Sequence, residues 1–299
     1  MSKAISMGYL FKVSAGNVNA SHSEGNVIVA KKVTMPDGST LPYISGQAMR
    51  RALRDRLEEL GWMLSEPHSQ VEGQEVTPPC RPQEFIDEDL FGYMDASGGK
   101  RRTSPVRVSF AVGCFPFRGD RDLGTRSFEK FGQAVSEGGN MFETEVYNNI
   151  FRGAVLVELD RVGVFKKMET GQEKPDELPK EEKVKRIQAL IEALRILWGG
   201  GRTARMMVDL SPKFFAYARM KAKHPVFLES LLVDADGKLN LELLKQSLEK
   251  MKDYIEVRFF GLETGFFANE DEIGETLRGE VFSIGQAIDM AKEDASKAL

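Results

Sequence analysis

The sequence predicts an α+β protein, and the order of its predicted elements is the reason. Hydrophobic periodicity predicts a strand, a helix, two strands, a helix and a last strand, at residues 4–13, 46–60, 104–113, 150–160, 181–198 and 204–218. This is the order of a ferredoxin-like or RRM-like arrangement. We therefore predict a core of that type, with insertions at two of its connections.

The first predicted helix has both a start signal and a core-facing stripe. Ser45 is a good N-cap residue for a helix over roughly 46–60. Arg50 and Arg54 lie one turn apart, on a different side of the helix from the apolar stripe. That stripe is expected to face the core and consists of Met49, Leu53, Leu57 and Leu60.

The second long helix is predicted over residues 181–198. Its apolar positions step by three and four, at Val184, Ile187, Ile191, Leu194 and Trp198. The run Gly199–Gly201 is expected to stop it, and the chain then returns as the strand at 204–218.

Two insertions and a C-terminal extension complete the predicted organisation. Residues 61–103 are proline-rich and are predicted to be irregular, whereas the glycine-rich, aromatic segment 116–149 suits a protruding hairpin. We expect residues 1–223 to form the core with these insertions. Residues 224–299 would pack on it as an extension, with helices near 240–252 and 280–298 and a strand (IEVRFFG) between them.

Composition narrows the class of protein. The 299 residues are 41% apolar and 29% charged, which is ordinary for a globular chain. Neither a transmembrane run nor a signal-peptide layout at the N-terminus is recognisable, so we expect no membrane association. The two cysteines are too few for a disulfide framework or a metal site of their own, which favours a cytoplasmic location.

The net charge of −4 conceals a strong separation of charge. Residues 43–56 carry +3, residues 100–126 carry +5 and residues 195–223 carry +6, so the other 229 residues carry −18. Residues 224–299 alone carry −8. A basic face on an acidic body attracts a polyanion while the molecule stays soluble, so the pattern favours nucleic-acid binding.

Enzyme signatures are scarce. His22, His68 and His224 lack metal-ligand spacing, and the segment from Asp234 to Gly237 lacks the closing glutamate of a calcium loop. No nucleophile motif is recognisable. We therefore expect no catalytic residue, no metal and no cofactor.

The glycine run offers a binding function instead. Three consecutive glycines let the backbone approach a ligand closely and leave amides free for phosphate. Arg202 and Arg205 stand beside them and supply positive charge.

Three segments together resemble one family. YISGQAMRRALRDRL, NNIFRGAVLVELDRVG and GGGRTARMMVDLSP are similar, in this order, to segments of the DevR-type CRISPR-associated family, and the resemblance runs from Met1 to about Arg219. Members are the repeated, crRNA-binding backbone subunits of type I Cascade complexes, and this chain resembles the I-B kind. Such proteins have a modified RRM core called the palm, with finger insertions and a thumb hairpin.

The resemblance implies a non-catalytic subunit that polymerises along crRNA and presents it to the target DNA strand beside other Cascade subunits. The fingers would correspond to 61–103 and the thumb to 116–149. Thumb side chains that would separate bases are Phe128, Phe131, Met141 and Phe142. The residues expected to bind RNA are Asn19, Ser45, Gln47, Arg50, Arg51, Arg54, Gly199, Gly200, Gly201, Arg202 and Arg205.

Two other functions remain open at this point. Related type III backbone subunits cut target RNA with an acidic loop residue, and residues 87–89 or Asp95 could serve in that role here. Alternatively, the protein could be a free-standing regulator that binds single-stranded RNA.

Overall fold

The computed structural model describes residues 2–66, 77–96, 98–126, 140–172, 176–199 and 206–299. The strands are β1 (Ala4–Gly16), β2 (Ala20–Glu24), β3 (Val27–Ala30), β4 (Lys32–Thr34), β5 (Thr40–Ile44), β6 (Tyr93–Met94), β7 (Arg101–Arg102), β8 (Val106–Val108), β9 (Ala111–Gly113), β10 (Gly119–Arg126), β11 (Asn140–Glu158), β12 (Val164–Phe165), β13 (Asp176–Glu177), β14 (Phe214–Met220), β15 (Ile255–Leu262) and β16 (Val281–Ser283). The helices are α1 (Gly46–Glu59), α2 (Ile86–Phe91), α3 (Lys167–Thr170), α4 (Lys180–Arg195), α5 (Leu241–Lys250), α6 (Glu270–Thr276) and α7 (Ile284–Ala298).

Strand β1 is central to the main sheet. It pairs antiparallel with β11 on one side and with β14 on the other, so that Ala4 stands opposite both Glu158 and Met220. Strands β8 and β9 pair with β11 on its far side. The predicted α+β class is confirmed. The neighbour order β14-β1-β11-β8 supports the RRM-like core, which stays a prediction.

The two faces of this sheet are covered by different elements. Alternate residues of β1, among them Tyr9 and Phe11, pack in a core shared with α1, α4 and α7. The intervening Leu10 packs on the opposite face, in a second core with residues of α5 and α6. Because both faces are covered, the first ten residues of β1 include only one exposed position, Lys12.

Helix α1 follows its sequence signals closely, with one exception. The Ser45 hydroxyl accepts a hydrogen bond from the Ala48 N–H (3.3 Å), so this residue is the predicted N-cap. Met49, Leu53 and Leu57 are fully buried. The prediction for Leu60 is wrong, because this residue is the C-cap and lies beyond the last buried turn, 38% exposed.

The boundaries around the glycine run also differ from prediction. Helix α4 ends at Arg195, before the glycines, and Trp198 then forms a β-bridge with Asp209. The Leu210 N–H donates to the Leu197 carbonyl (3.0 Å). The helix therefore ends because the following residues form a short ladder, and not because of a glycine. The strand predicted from residue 204 accordingly begins only at β14.

Other boundaries differ as well. The strand predicted at 104–113 is split into β8 and β9. The 61–103 insertion contains helix α2 and the β6–β7 hairpin, so it is more regular than predicted.

The C-terminal residues extend the same sheet. Strand β15 pairs with β14, and β16 runs parallel to β15 at the edge. Helices α5 and α7 confirm the two predicted there, whereas α6 and β16 were not predicted. Helix α7 packs on α4. The division at residue 223 stays a prediction, and no helix within the described ranges is long and apolar enough to cross a membrane.

The segment 116–149 contains two paired strands, and the connection between them, residues 127–139, lies outside the described part of the chain. Strand β10 pairs antiparallel with the first half of β11, from Gly119 opposite Tyr147 to Arg126 opposite Asn140. Strand β3 joins this arm in parallel at Glu143 and Thr144.

Candidate nucleic-acid interface

An open groove of about 650 Å³ lies between α1 and the segment that runs from α2 to β8. It is lined by Gln47, Arg50, Arg54, Phe91, Gly92, Tyr93, Met94, Arg102, Thr103, Ser104, Arg107 and Val108. Three α1 residues that were predicted to bind RNA, Gln47, Arg50 and Arg54, therefore line the same groove. Two arginines of the basic segment 100–126, Arg102 and Arg107, line it with them.

Helix α1 presents its polar side to this groove because its start is fixed against β8. A Cβ added to Gly46 would lie 2.7 Å from the Val108 carbonyl oxygen, so only glycine permits this approach. Gln47, Arg50 and Arg54 then follow at i, i+3 and i+7, which places them along one side of the helix.

The α1 arginines differ in how much of their charge is already neutralised. Arg54 Nε lies 3.3 Å from Asp87 Oδ2, and the guanidinium lies 4.8 Å from the centre of the Phe91 ring. Burial lowers the pKa of Arg54, and Asp87 opposes this shift. Arg50 is half-buried and makes no hydrogen bond or ion pair with any residue that the structure describes. Arg50 is therefore the cation best placed to take up a new anion.

Arg107, on β8, contributes the second accessible cation of the groove. Its side chain is 51% exposed and pairs with Glu158 (2.9 Å). Glu158 also forms ion pairs with Arg161 and Lys223, so three cations share this one carboxylate. Arg107 was not among the site residues predicted from the sequence. The only sequence signal for it was the positive charge of the segment 100–126 to which it belongs.

The floor of the groove is held by a buried ion cluster centred on Asp89. Arg102 donates to Asp89 Oδ1 (2.6 Å) and to Glu169 Oε2 (2.8 Å), and Arg186 donates to Asp89 Oδ2 (2.9 Å). The Arg102 and Asp89 side chains are 0% exposed. The Gly163 N–H also donates to Asp89 (3.1 Å). This cluster joins α2, β7 and α4, so it fixes the insertion to the core.

The acidic residues considered for cleavage have structural partners. Besides Arg54, Asp87 accepts hydrogen bonds from the backbone N–H and the hydroxyl of Ser65 (both 2.8 Å). Glu88 accepts the Cys80 N–H (3.0 Å), and burial raises the pKa of Glu88. Asp95 accepts the Gly98 N–H within its own turn (2.9 Å).

Metal and thiol chemistry find no support in the same region. Among the described residues, no cluster of three or more His, Cys, Asp or Glu could hold a metal ion. Burial raises the pKa of Cys80 to about 11, which disfavours the thiolate that a nucleophile requires.

Other predicted contacts lie outside this groove. The Ser45 N–H donates to Asn19 Oδ1 (2.9 Å), so these two residues hold each other at the start of α1. Arg51 has a 73% exposed side chain on another flank of α1, paired with Asp55 (2.9 Å). Gly199 is buried, and its N–H donates to the Val208 carbonyl (3.0 Å).

The remaining predicted contacts belong to the glycine loop and the thumb. Met141 is 59% exposed on β11, and Phe142 is half-buried beside Gly124. The other predicted residues lie outside the described part of the chain, namely Gly200, Gly201, Arg202, Arg205, Phe128 and Phe131.

Comparison with known proteins identifies the family. Residues 5–227 match the family described as CRISPR-associated negative auto-regulator DevR/Csa2, and the chain belongs to it. The expected resemblance is thereby confirmed. Among curated proteins, no relative matches the chain.

Solved structures share the fold. A chain of a structure described as a CRISPR RNA-guided surveillance complex, pre-nicking, superposes with a TM-score of 0.63 at 14% identity, covering 98% of this chain and 100% of that one. A chain of a second structure, described as a CRISPR RNA-guided surveillance complex, gives a TM-score of 0.61 at 18% identity and covers 98% and 99%.

The first prediction tests the buried cluster. Asp89→Asn should lower the free energy of unfolding by about 3–5 kcal/mol, because it leaves two buried guanidinium groups without their shared carboxylate. Urea denaturation measures this loss, with Asp236→Asn, an exposed position, as the control that should change it by less than about 0.5 kcal/mol. A loss below about 1 kcal/mol for Asp89→Asn would show that the cluster does not hold the insertion.

Proposed function

We propose that this chain is the crRNA-binding backbone subunit of a type I CRISPR surveillance complex, Cascade, of the I-B kind. Copies of the chain line up along crRNA, hold its backbone in the α1 groove and leave its bases free to pair with a target DNA strand. The subunit assembles with other Cascade subunits in the cytoplasm and cuts nothing itself. Membership of the DevR/Csa2 family and the shared fold support this proposal.

The observation that carries the proposal is the groove lined by Gln47, Arg50, Arg54 and Arg107. Guanidinium groups offer several donors in a fixed plane, a geometry that matches phosphate oxygens. The groove is open to solvent rather than enclosed, and its lining includes no carboxylate. A phosphodiester backbone is the ligand that fits these properties.

The same groove favours binding that does not depend on sequence. Contacts to phosphate position a nucleic acid, whereas sequence is read from base edges. Base pairing between guide and target then supplies the specificity, as in other RNA-guided effectors.

Non-catalytic action is consistent with the carboxylates near the groove. Asp87, Glu88 and Asp89 are buried and bound by arginines or backbone amides. A carboxylate that must bind Mg²⁺ or accept a proton needs free oxygens facing the ligand. These three residues stabilise the insertion instead.

Further predicted contacts belong to the proposal. Arg51 would reach RNA from the exposed flank of α1, and Asn19 and Ser45 would contact it where that helix begins. The loop from Gly199 to Arg205 would cradle phosphates, and the hairpin of β10 and β11 would place Met141 or Phe142 between bases.

The second prediction concerns Arg50. Arg50→Ala should weaken binding of unrelated single-stranded RNAs alike and make the log–log salt slope shallower by about 0.7, because one phosphate contact is lost. Fluorescence anisotropy across a salt series measures both. Arg278→Ala removes an exposed arginine of the acidic extension and is the matched control, with no change expected. An Arg50→Ala protein that binds with the parent's affinity and slope would exclude the groove as the RNA site.

The third prediction concerns assembly. Because one copy covers only a few nucleotides, long single-stranded RNA should collect several copies of the chain. Light scattering with a long RNA should then show a complex whose mass grows with RNA length. One copy per long strand at saturation would contradict the backbone role.

A further inference from the structure

One feature near the groove is not explained by phosphate binding. Phe110, between β8 and β9, is 55% exposed, and its ring stacks on that of Tyr43 with centroids 5.2 Å apart and planes inclined by 7°. Two aromatic rings packed face to face are therefore held in one orientation at the surface, and much of the Phe110 ring stays open to solvent.

The register of the sheet determines which face carries this pair. Tyr43 stands opposite Val112, whereas the next residues, Ile44 and Ala111, are opposite each other and fully buried in the core with the helices. Successive side chains of a strand point to opposite faces. Tyr43 therefore lies on the face of the sheet that is turned away from α1 and α4.

Basic residues flank Tyr43 along the same row of the sheet. Val112 stands opposite Arg152, and the Tyr43 N–H donates to the carbonyl of Lys31 (2.9 Å), on the other side. Directly opposite residues share a face, so the row through Tyr43 and Val112 has a basic residue at each end. Arg152 is paired with Glu229 (2.7 Å), whereas Lys31 has no ion-pair partner within the described ranges. This setting suits an aromatic ligand that carries negative charge.

Short stretches of chain connect the aromatic pair to the groove. Val108 and Gln47 line the groove. Val108 is two residues before Phe110 in the chain, and Gln47 is four residues after Tyr43. Two residues of extended chain span about 7 Å. An RNA strand that leaves the α1 end of the groove and passes to this face of the sheet would therefore meet the rings.

We propose that Tyr43 and Phe110 form a stacking site for one base of the bound single-stranded RNA. The inference rests on the proposed function and deepens it, because it adds a stacking site for a base beside a groove that holds phosphates. Every base has a π-face, so this contact adds affinity without selecting a sequence. Because the rings are already ordered by each other, binding a base costs little further side-chain entropy.

The test compares RNA with and without bases. Phe110→Leu should weaken binding of a labelled oligouridine by roughly 5- to 150-fold, since a stacked base contributes on that order. The same variant should bind an abasic oligomer of equal length as the parent does. Its salt slope should also be unchanged, because no phosphate contact is lost. Phe110→Trp keeps a stacking surface and should keep the parent's affinity for oligouridine.

Each alternative outcome has a clear meaning. If Phe110→Leu binds oligouridine as the parent does while Arg50→Ala does not, the groove is right and the stacking site is wrong. If Phe110→Leu instead reduces only self-association in light scattering, the rings contact a second copy of the chain, which also overturns the stacking site. If the parent shows no salt-sensitive RNA binding, the proposed function fails and takes this inference with it.

Discussion

The candidate site depends on one buried interaction, the ion pairs that the Asp89 carboxylate forms with Arg102 and Arg186. This carboxylate accepts hydrogen bonds from Arg102 on β7, from Arg186 on α4 and from the Gly163 N–H, and it has no exposure to solvent. A buried charge is costly unless it is fully partnered, and losing one partner leaves the others uncompensated. The cluster therefore specifies one position of the insertion relative to the core.

That position creates the groove. Helix α2 ends at Phe91 and Gly92 is its C-cap, with a φ of 71°. A Cβ at Gly92 would lie 2.2 Å from the Arg102 carbonyl oxygen, so only glycine fits. The chain then turns into β6 and returns as β7, and residues of both strands line the groove opposite α1. Asp87 lies on α2, two residues before Asp89, and forms an ion pair with Arg54 of α1. One short helix thus fixes both the wall of the groove and one of its cations, while Arg50 remains available for ligand.

What the sequence could predict depended on local signals. The start of α1 was predictable because Ser45 caps it, and the buried positions Met49, Leu53 and Leu57 follow from helical spacing. The end of α4 was not, because a ladder between residues 197–199 and 208–210 ends it rather than a residue at the helix terminus. The partners of Asp89 and the stacking of Phe110 on Tyr43 join residues far apart in sequence, so neither charge counts nor periodicity could predict them.

The most direct test of RNA binding in the α1 groove is to map where RNA touches the protein. Single-stranded RNA that contains 4-thiouridine would be crosslinked to the parent chain by ultraviolet light, and the modified peptides identified by mass spectrometry. We expect crosslinks within residues 43–54 and 107–112, on the two segments that join the groove to the aromatic pair. Crosslinks confined to the acidic residues 224–299 would contradict both the groove and the aromatic pair as RNA contacts.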